Sequence, residues 1–288
     1  AIFDGVKLSV KHGNTAYSDF LYDTYGLVEC GFMGNIDLGY QFGKLALQLL
    51  EKNDVKQTEP ETQFIFNCFI EHWKRHIRET IKPLETAFQK GIELGDFENA
   101  ALSLSIFLGY SFYSGNGLVG VQQEISRYIE PLIKLKTKKY ISDFQRFRQL
   151  IVIFSGQSEN SCCLTGEYFN EEEAIQTCLE ANDHHGLFHI YSEKALLCYY
   201  FDEHNKALES AFLAEKYLEG VRATYFFSAF HFYYSLMLLG DDPNASKLKK
   251  RGALKKVTKN QRKMKKWAQH APMNHLHKWQ LVEAERAR

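Results

Sequence analysis

The 288-residue chain is predicted to be all-α, and three observations carry the prediction. Apolar residues recur at helical spacing, whereas no segment alternates as a half-buried strand would. A short turn pattern rich in Gly, Asn and Asp recurs between apolar helical stretches. Only 5 prolines occur, and no Pro/Ser/Gly-rich linker interrupts the chain, so residues 1–288 are expected to form a single helical domain.

The elements justify themselves in order. Gly34-Asn35-Ile36 is followed by Gly39 and Ala46, five and twelve residues after Gly34. Gly95-Asp96-Phe97 is followed by Ala100, again five residues on. Asp202-Glu203-His204 is followed by Ala207 and Ala214, five and twelve residues after Asp202. Each is the expected turn of a helical hairpin: the first residue takes the left-handed conformation that ends a helix, and its Asn or Asp caps the next. The small residue five positions on lets two helices approach closely. Asn170 with Glu173 resembles a capping box, and Asp242-Pro243 places an acceptor before a first-turn proline. Leu208, Ala211, Phe212 and Leu218 are expected on one side of a helix. Phe226, Phe227, Phe230, Tyr233, Tyr234 and Met237 are expected to share a face of another. The total comes to about 12–14 helices.

Hydrophobic residues make up 45% and charged residues 24%, a globular composition rather than a disordered one. Asn99–Gln123 and Ala223–Gly240 lack charged residues, but internal Ser, Gly and His mark them as buried helices rather than membrane spans. No signal peptide is visible, and the six cysteines form no C-x-x-C; these features fit a cytoplasmic protein with small buried thiols. The start at Ala1 and the helical composition up to Arg288 fit an excerpt of a longer multidomain protein.

The three turns resemble those of tetratricopeptide repeats, whose period is 34 residues. The spacings here, 34 to 95 and 95 to 202, depart from it, so the expected architecture is a degenerate TPR-like array, an α-solenoid with a concave face. Longer strings carry a second resemblance: His76–Leu84, Leu94–Ala100, Gly156–Asn160, Trp267–Asn274 and Gln280–Glu285. In this order they are similar to the helical middle region of large cyanobacterial sensor kinases. Those proteins carry a Ser/Thr kinase domain and an AAA/STAND-type ATPase before this region, and a GAF domain and a histidine kinase after it. The resemblance implies a two-component signalling context and neighbouring domains of the same polypeptide, or other signalling proteins, as partners. It carries over no catalytic residue. The chain has no G-x-x-x-x-G-K-[ST], no H-R-D and no D-F-G, so the segment itself is expected not to be an enzyme and to need no cofactor.

Candidate chemistry is sparse. Gly115-x-Gly117-x-x-Gly120 matches the dinucleotide fingerprint formally but lacks a preceding strand, and reads as an inter-helix turn. His72/His76 and His185/His189 have the i, i+4 spacing of paired metal ligands, without a third ligand or a neighbouring general base. Cys162-Cys163 is an adjacent pair unsuited to tetrahedral metal. No catalytic, cofactor-binding or metal residue is assigned. Two interaction sites are. On the inner helix of the third hairpin, His189, Ser192, Tyr199 and Tyr200 are expected to line a groove for a peptide or a small-molecule signal. From Lys247 to Lys266 there are eleven Lys/Arg and no acid, which leaves 24 of the 35 basic residues against 35 acidic ones elsewhere, a net of −11. Leu254, Val257, Met264 and Trp267 are expected to pack this helix down, with Lys255, Lys259, Arg262 and Lys266 on its outer, basic face. That face suits an acidic protein surface or solvent; nucleic acid is not the expected partner. The expected role is a non-catalytic interaction and coupling module, the alternative a sensor whose groove binds a signal.

Overall fold

A computed structural model describes residues 2–53, 58–134, 138–158, 160–240 and 246–288. Asp242-Pro243 lies outside them. Regular structure among the described residues is helical throughout, without a strand, and comprises fourteen α-helices. They are α1 (Ile2–His12), α2 (Ser18–Leu27), α3 (Ile36–Asn53), α4 (Glu59–Ile65), α5 (Arg78–Leu94), α6 (Phe97–Tyr113) and α7 (Leu118–Lys134). They continue with α8 (Lys138–Phe154), α9 (Glu171–Glu180), α10 (His184–Tyr200), α11 (His204–Lys216), α12 (Tyr225–Leu239), α13 (Lys247–His270) and α14 (Pro272–Ala287). Wider, π-type turns extend α2 over Val28–Met33 and α4 over Phe66–Ile70.

The chain forms two compact units. One comprises Ala1–Gly117, Glu130–Lys136 and Ala223–Tyr225; the other comprises Leu118–Ile129, Thr137–Arg222 and Phe226–Arg288. Consecutive helices pack as hairpins, α2 with α3 and α5 with α6 in the first unit, α10 with α11 and α13 with α14 in the second.

One turn geometry recurs. Gly95, Gly115, Gly156, Asn182 and Asp202 all have φ between 52° and 82°. In each case the N–H of the next residue donates to the carbonyl five residues before it: Asp96 to Gly91, Asn116 to Ser111, Gln157 to Val152, Asp183 to Cys178 and Glu203 to Cys198. This left-handed stop satisfies carbonyls that a helix end otherwise exposes. At Gly34 the same turn is one residue wider, Asn35 N–H reaching Glu29 across six residues. Caps then start the next helices: Asp96 accepts from Asn99 N–H, Asp183 from Gly186 N–H, and Asn170 from the N–H groups of Glu172 and Glu173. The Asn182-Asp183 turn is a further hairpin of the predicted kind that the sequence reading passed over.

Close approach follows from small residues, as expected. A Cβ on Gly91 would stand 2.9 Å from that of Ala100. Ala207, Ala211 and Ala214 are fully buried along α11. α6 beyond its exposed first turn, which holds Glu98, and α12 are buried nearly all round, which explains the lack of charged side chains there; no helix among the described residues is long and apolar enough to cross a membrane. Cys30, Cys68 and Cys198 are buried and Cys162, Cys163 and Cys178 half-buried, all as free thiols.

In the first unit an aromatic group closes around His72. Its ring lies 4.5 Å from Trp73 and about 6 Å from Tyr110 and Tyr225. Tyr110 OH donates to Cys68 O at 2.6 Å and accepts from Tyr225 N–H at 2.9 Å. His72 Nε2 donates to Ala223 O at 2.9 Å. These bonds hold Ala223 at φ 74°, a left-handed position without the usual glycine. Ala223 also packs on Gly31, where a Cβ would fall 2.1 Å from its own.

Candidate ligand cavity and basic helix face

The second unit contains a cavity of about 710 Å³ between α11, the end of α12, the first turns of α13 and the end of α14. Its origin is a mismatch of lengths. α13 has 24 residues and its partner α14 has 16, so the N-terminal turns of α13 run past the helix they pack on. Farther along α13 the inward face is sealed: Val257 and Met264 are buried, Asn260 donates to Ser235 Oγ, and Gln261 donates to Trp279 O and Glu283 Oε1. At the start of the helix the corresponding positions, Lys249, Ala253 and Lys256, line the cavity.

The opposite wall is α11. His204, Leu208, Phe212 and Glu215 line the cavity along one stripe. This corrects two expectations. Phe212, expected on the same side of its helix as Ala211 and Leu218, is 57% exposed while those two are buried, and Leu254 is 45% exposed rather than packed with Val257, Met264 and Trp267. Tyr234 and Leu238 of α12 form the floor. The two carboxylates of the lining are already engaged: Glu215 pairs with Lys256, and Glu285 lies 3.5 Å from Arg288. Burial, with Glu215 nearby, pushes the Tyr234 phenol up to about 12, so it stays a neutral polar group in the floor.

Lys255, Lys259, Arg262 and Lys266 are all exposed, as expected. At 100° per residue they cluster about 120° round the helix from Lys249, Ala253 and Lys256. The basic face and the cavity are therefore separate surfaces of one helix. Lys263, between them, is half-buried and donates to His231 Nε2 at 3.0 Å, while His231 Nδ1 donates to Phe227 O. Burial, reinforced by Lys263, drives the His231 pKa down to about 3; a neutral imidazole is what lets it accept from an ammonium.

The four expected groove residues do not stand together. His189 is buried, its ring 4.6 Å from His185 and 4.7 Å from Phe226. Beside it Arg146 of α8 pairs with Glu193 of α10 inside the unit, with Asp143 3.6 Å from the guanidinium. Burial, with His185 and Arg146 nearby, holds His189 well below the ordinary imidazole range. Ser192 is tied to its own helix, donating to His189 O. Only Tyr199 and Tyr200 reach an accessible cluster, where Tyr200 OH lies 3.2 Å from Tyr233 OH.

The histidine spacings resolve in structural terms. His72 and His76 do not share a helix face, because the helix breaks between Lys74 and Ile77. Among the described residues no group of three or more His, Cys, Asp or Glu is placed to hold a metal ion. Gly115 sits in the left-handed turn between α6 and α7, the inter-helix position expected of it. The cavity itself escaped the sequence reading. The signal available was the lack of any acid in the first turn of α13 together with the 3-4 spacing of Leu208, Phe212 and Glu215.

A stretch of 94 residues is 29% identical to part of hybrid signal transduction histidine kinase G of Dictyostelium discoideum. It covers 32% of this chain and 3% of that protein. The similarity is to a signalling protein. No family model matches the chain, and no solved structure matches it.

Proposed function

We propose that the chain is a non-catalytic coupling module of a multidomain signalling kinase, a degenerate TPR-like hairpin array that relays state between neighbouring domains. The observation that carries this reading is the similarity of part of the chain to a histidine kinase, joined to the repeated left-handed turns that link consecutive helices into hairpins. The segment is not an enzyme in this reading. Its partners are protein domains of the same polypeptide or other signalling proteins, in the cytoplasm, and the basic face of α13 suits an acidic domain surface. The purified chain is expected neither to release phosphate from ATP nor to autophosphorylate. It is expected to retain a kinase, ATPase or GAF segment in a pull-down. ATP turnover that a point change within the chain abolishes would overturn the reading.

A second reading is favoured by the cavity: a sensor in which a bound small molecule changes what the module transmits. Its volume lies in the range of small-ligand sites, roughly 300–1,000 Å³. A thermal-shift screen of metabolites tests it, since a ligand at 100 times its dissociation constant adds about 2.7 kcal/mol.

A further inference from the structure

We propose that Cys162 and Cys198 form a redox-responsive thiol pair, which a hydroperoxide closes into a disulfide between α10 and the loop that joins α8 to α9. The inference goes beyond both readings above and depends on neither. The two cysteines are 36 residues apart in the chain, and the fold brings them together. Cys198 Sγ donates to Cys162 O at 3.8 Å and lies within hydrogen-bonding reach of the Cys162 thiol. The contact is built from both sides. Lys194 and Cys198, one turn apart, share a face of α10. The loop is clasped to that face: Lys194 pairs with Glu171 Oε1 at 2.5 Å, and Glu171 Oε2 accepts from Leu164 N–H at 2.8 Å. The buried Leu164 side chain fixes the same stretch, and Cys162 N–H donates to Asn160 Oδ1 at 3.2 Å. Two thiols held side by side by such a clasp meet the first requirement for a disulfide, which is proximity without backbone rearrangement.

The two thiols have different roles. Cys198 is buried and Cys162 half-buried, so a small oxidant meets Cys162 first. Burial pushes the Cys198 thiol up to about 12, which keeps it protonated and inert towards the oxidant itself. In the first step the Cys162 sulphur, as thiolate, attacks the peroxide. An S–O bond forms, the O–O bond breaks, and the departing alkoxide or hydroxide takes up the thiol's proton. Cys162 is now a sulfenic acid, and two electrons have passed to the peroxide. In the second step the Cys198 sulphur attacks the Cys162 sulphur. The S–S bond forms, the S–O bond breaks, and hydroxide leaves with the Cys198 proton as water. The sum is two thiols and one hydroperoxide giving one disulfide, one alcohol or water, and one further water. The Lys194 ammonium lies near the Cys198 and Cys163 sulphurs and favours negative charge on Cys198 during its attack. A dithiol reductant reverses the reaction, the behaviour of a transient, sensing disulfide in a reducing compartment.

The test is peptide mapping of the intact chain after a stoichiometric pulse of hydrogen peroxide, with remaining thiols capped by N-ethylmaleimide. One crosslink within the chain is expected, Cys162 to Cys198, lost again in dithiothreitol. It should form at least about tenfold faster in the folded chain than in denaturant, because only the fold holds the two sulphurs together. Oxidation should raise the melting temperature, since the bond closes a loop in the unfolded chain. Cys163→Ser should keep the crosslink. Cys163→Ser with Cys198→Ser should leave Cys162 as the sulfenic acid, trapped by dimedone, and Cys162→Ser should abolish the crosslink. Cys198 is buried, so circular dichroism accompanies its variant; if that variant does not fold, the map of the parent chain and of Cys163→Ser decides the pairing. An unchanged thiol count, a crosslink that uses Cys163 or Cys178 in place of Cys162, or an equal rate in denaturant overturns the proposal. None of these results touches the coupling or sensor readings, which are tested with partner domains and metabolites.

Discussion

Ala223 and Gly31 form a pair in which each constrains the other. An alanine at φ 74° costs about 1–2 kcal/mol, and it survives because His72 and Tyr110 fix the flanking backbone. Gly31→Ala drives a methyl into the Ala223 methyl and is expected to destabilise by at least ~2 kcal/mol in urea unfolding. Ala223→Gly alone should stabilise slightly, and the double variant should recover much of the Gly31→Ala loss; simple additivity would show that the two residues do not press on one another. The Arg146–Glu193 pair behaves differently. Arg146 Nε and Glu193 Oε2 lack partners, so burial is incompletely offset. Arg146→Met strands a buried carboxylate and should cost about 3–5 kcal/mol, whereas Arg146→Met with Glu193→Leu should return close to the parent. Neither pair was legible in the sequence. Residues 31 and 223, or 146 and 193, meet only through tertiary packing, and nothing local in the chain announces it.

The turns sit at the opposite extreme. A glycine or Asn/Asp at the left-handed position and an acceptor after it are local chemistry, and this is why the sequence located the hairpins at 34, 95 and 202. It missed 182 because Asn182-Asp183 lacks the small residue five positions on, which is Leu187. It missed the cavity because the lengths of α13 and α14 are set at their far ends, and it placed Leu254 inside because helical spacing does not say where a partner helix stops. Asp202→Gly removes a left-handed side chain at a turn that keeps its backbone bonds, so it should raise stability by about 0.5–1 kcal/mol, as read from the urea midpoint. Gly252→Ala should add about 1 kcal/mol, since a methyl there meets open space within a helix. A loss of stability in Gly252→Ala would mean that the first turns of α13 are not helical in solution.

Across the molecule, buried imidazoles set the acid limit. Burial holds His72 and His231 at about 3, against an ordinary value near 6.5, and His189 well below it. Below pH 6.5 the unfolded chain takes up protons that the native chain refuses. Stability should therefore fall with pH, by up to about 1.4 kcal/mol per unit for each such imidazole, until native values near 3 are reached. Asp23 works in the other direction. Burial, reinforced by Asp19, raises its carboxyl well above 3.8, so the native chain keeps a proton that the unfolded chain loses, and stability declines as pH rises through that window. Denaturant midpoints from pH 4 to 8 should show the acid fall, which Asp23→Asn steepens at its lower end by removing the opposing slope; a flat profile would refute the neutral, buried imidazoles. The two π-type turns bear on the chain's history. Each holds one residue more per turn than an α-helix needs, the form in which a helix absorbs an insertion while keeping its flanking faces in phase. Deleting Phe32 would close the wide turn into an ordinary one, whereas a deletion inside α3 would rotate every later side chain of that helix by 100°. Val28–Met33 and Phe66–Ile70 are thus the seams at which this architecture can change length without changing its packing.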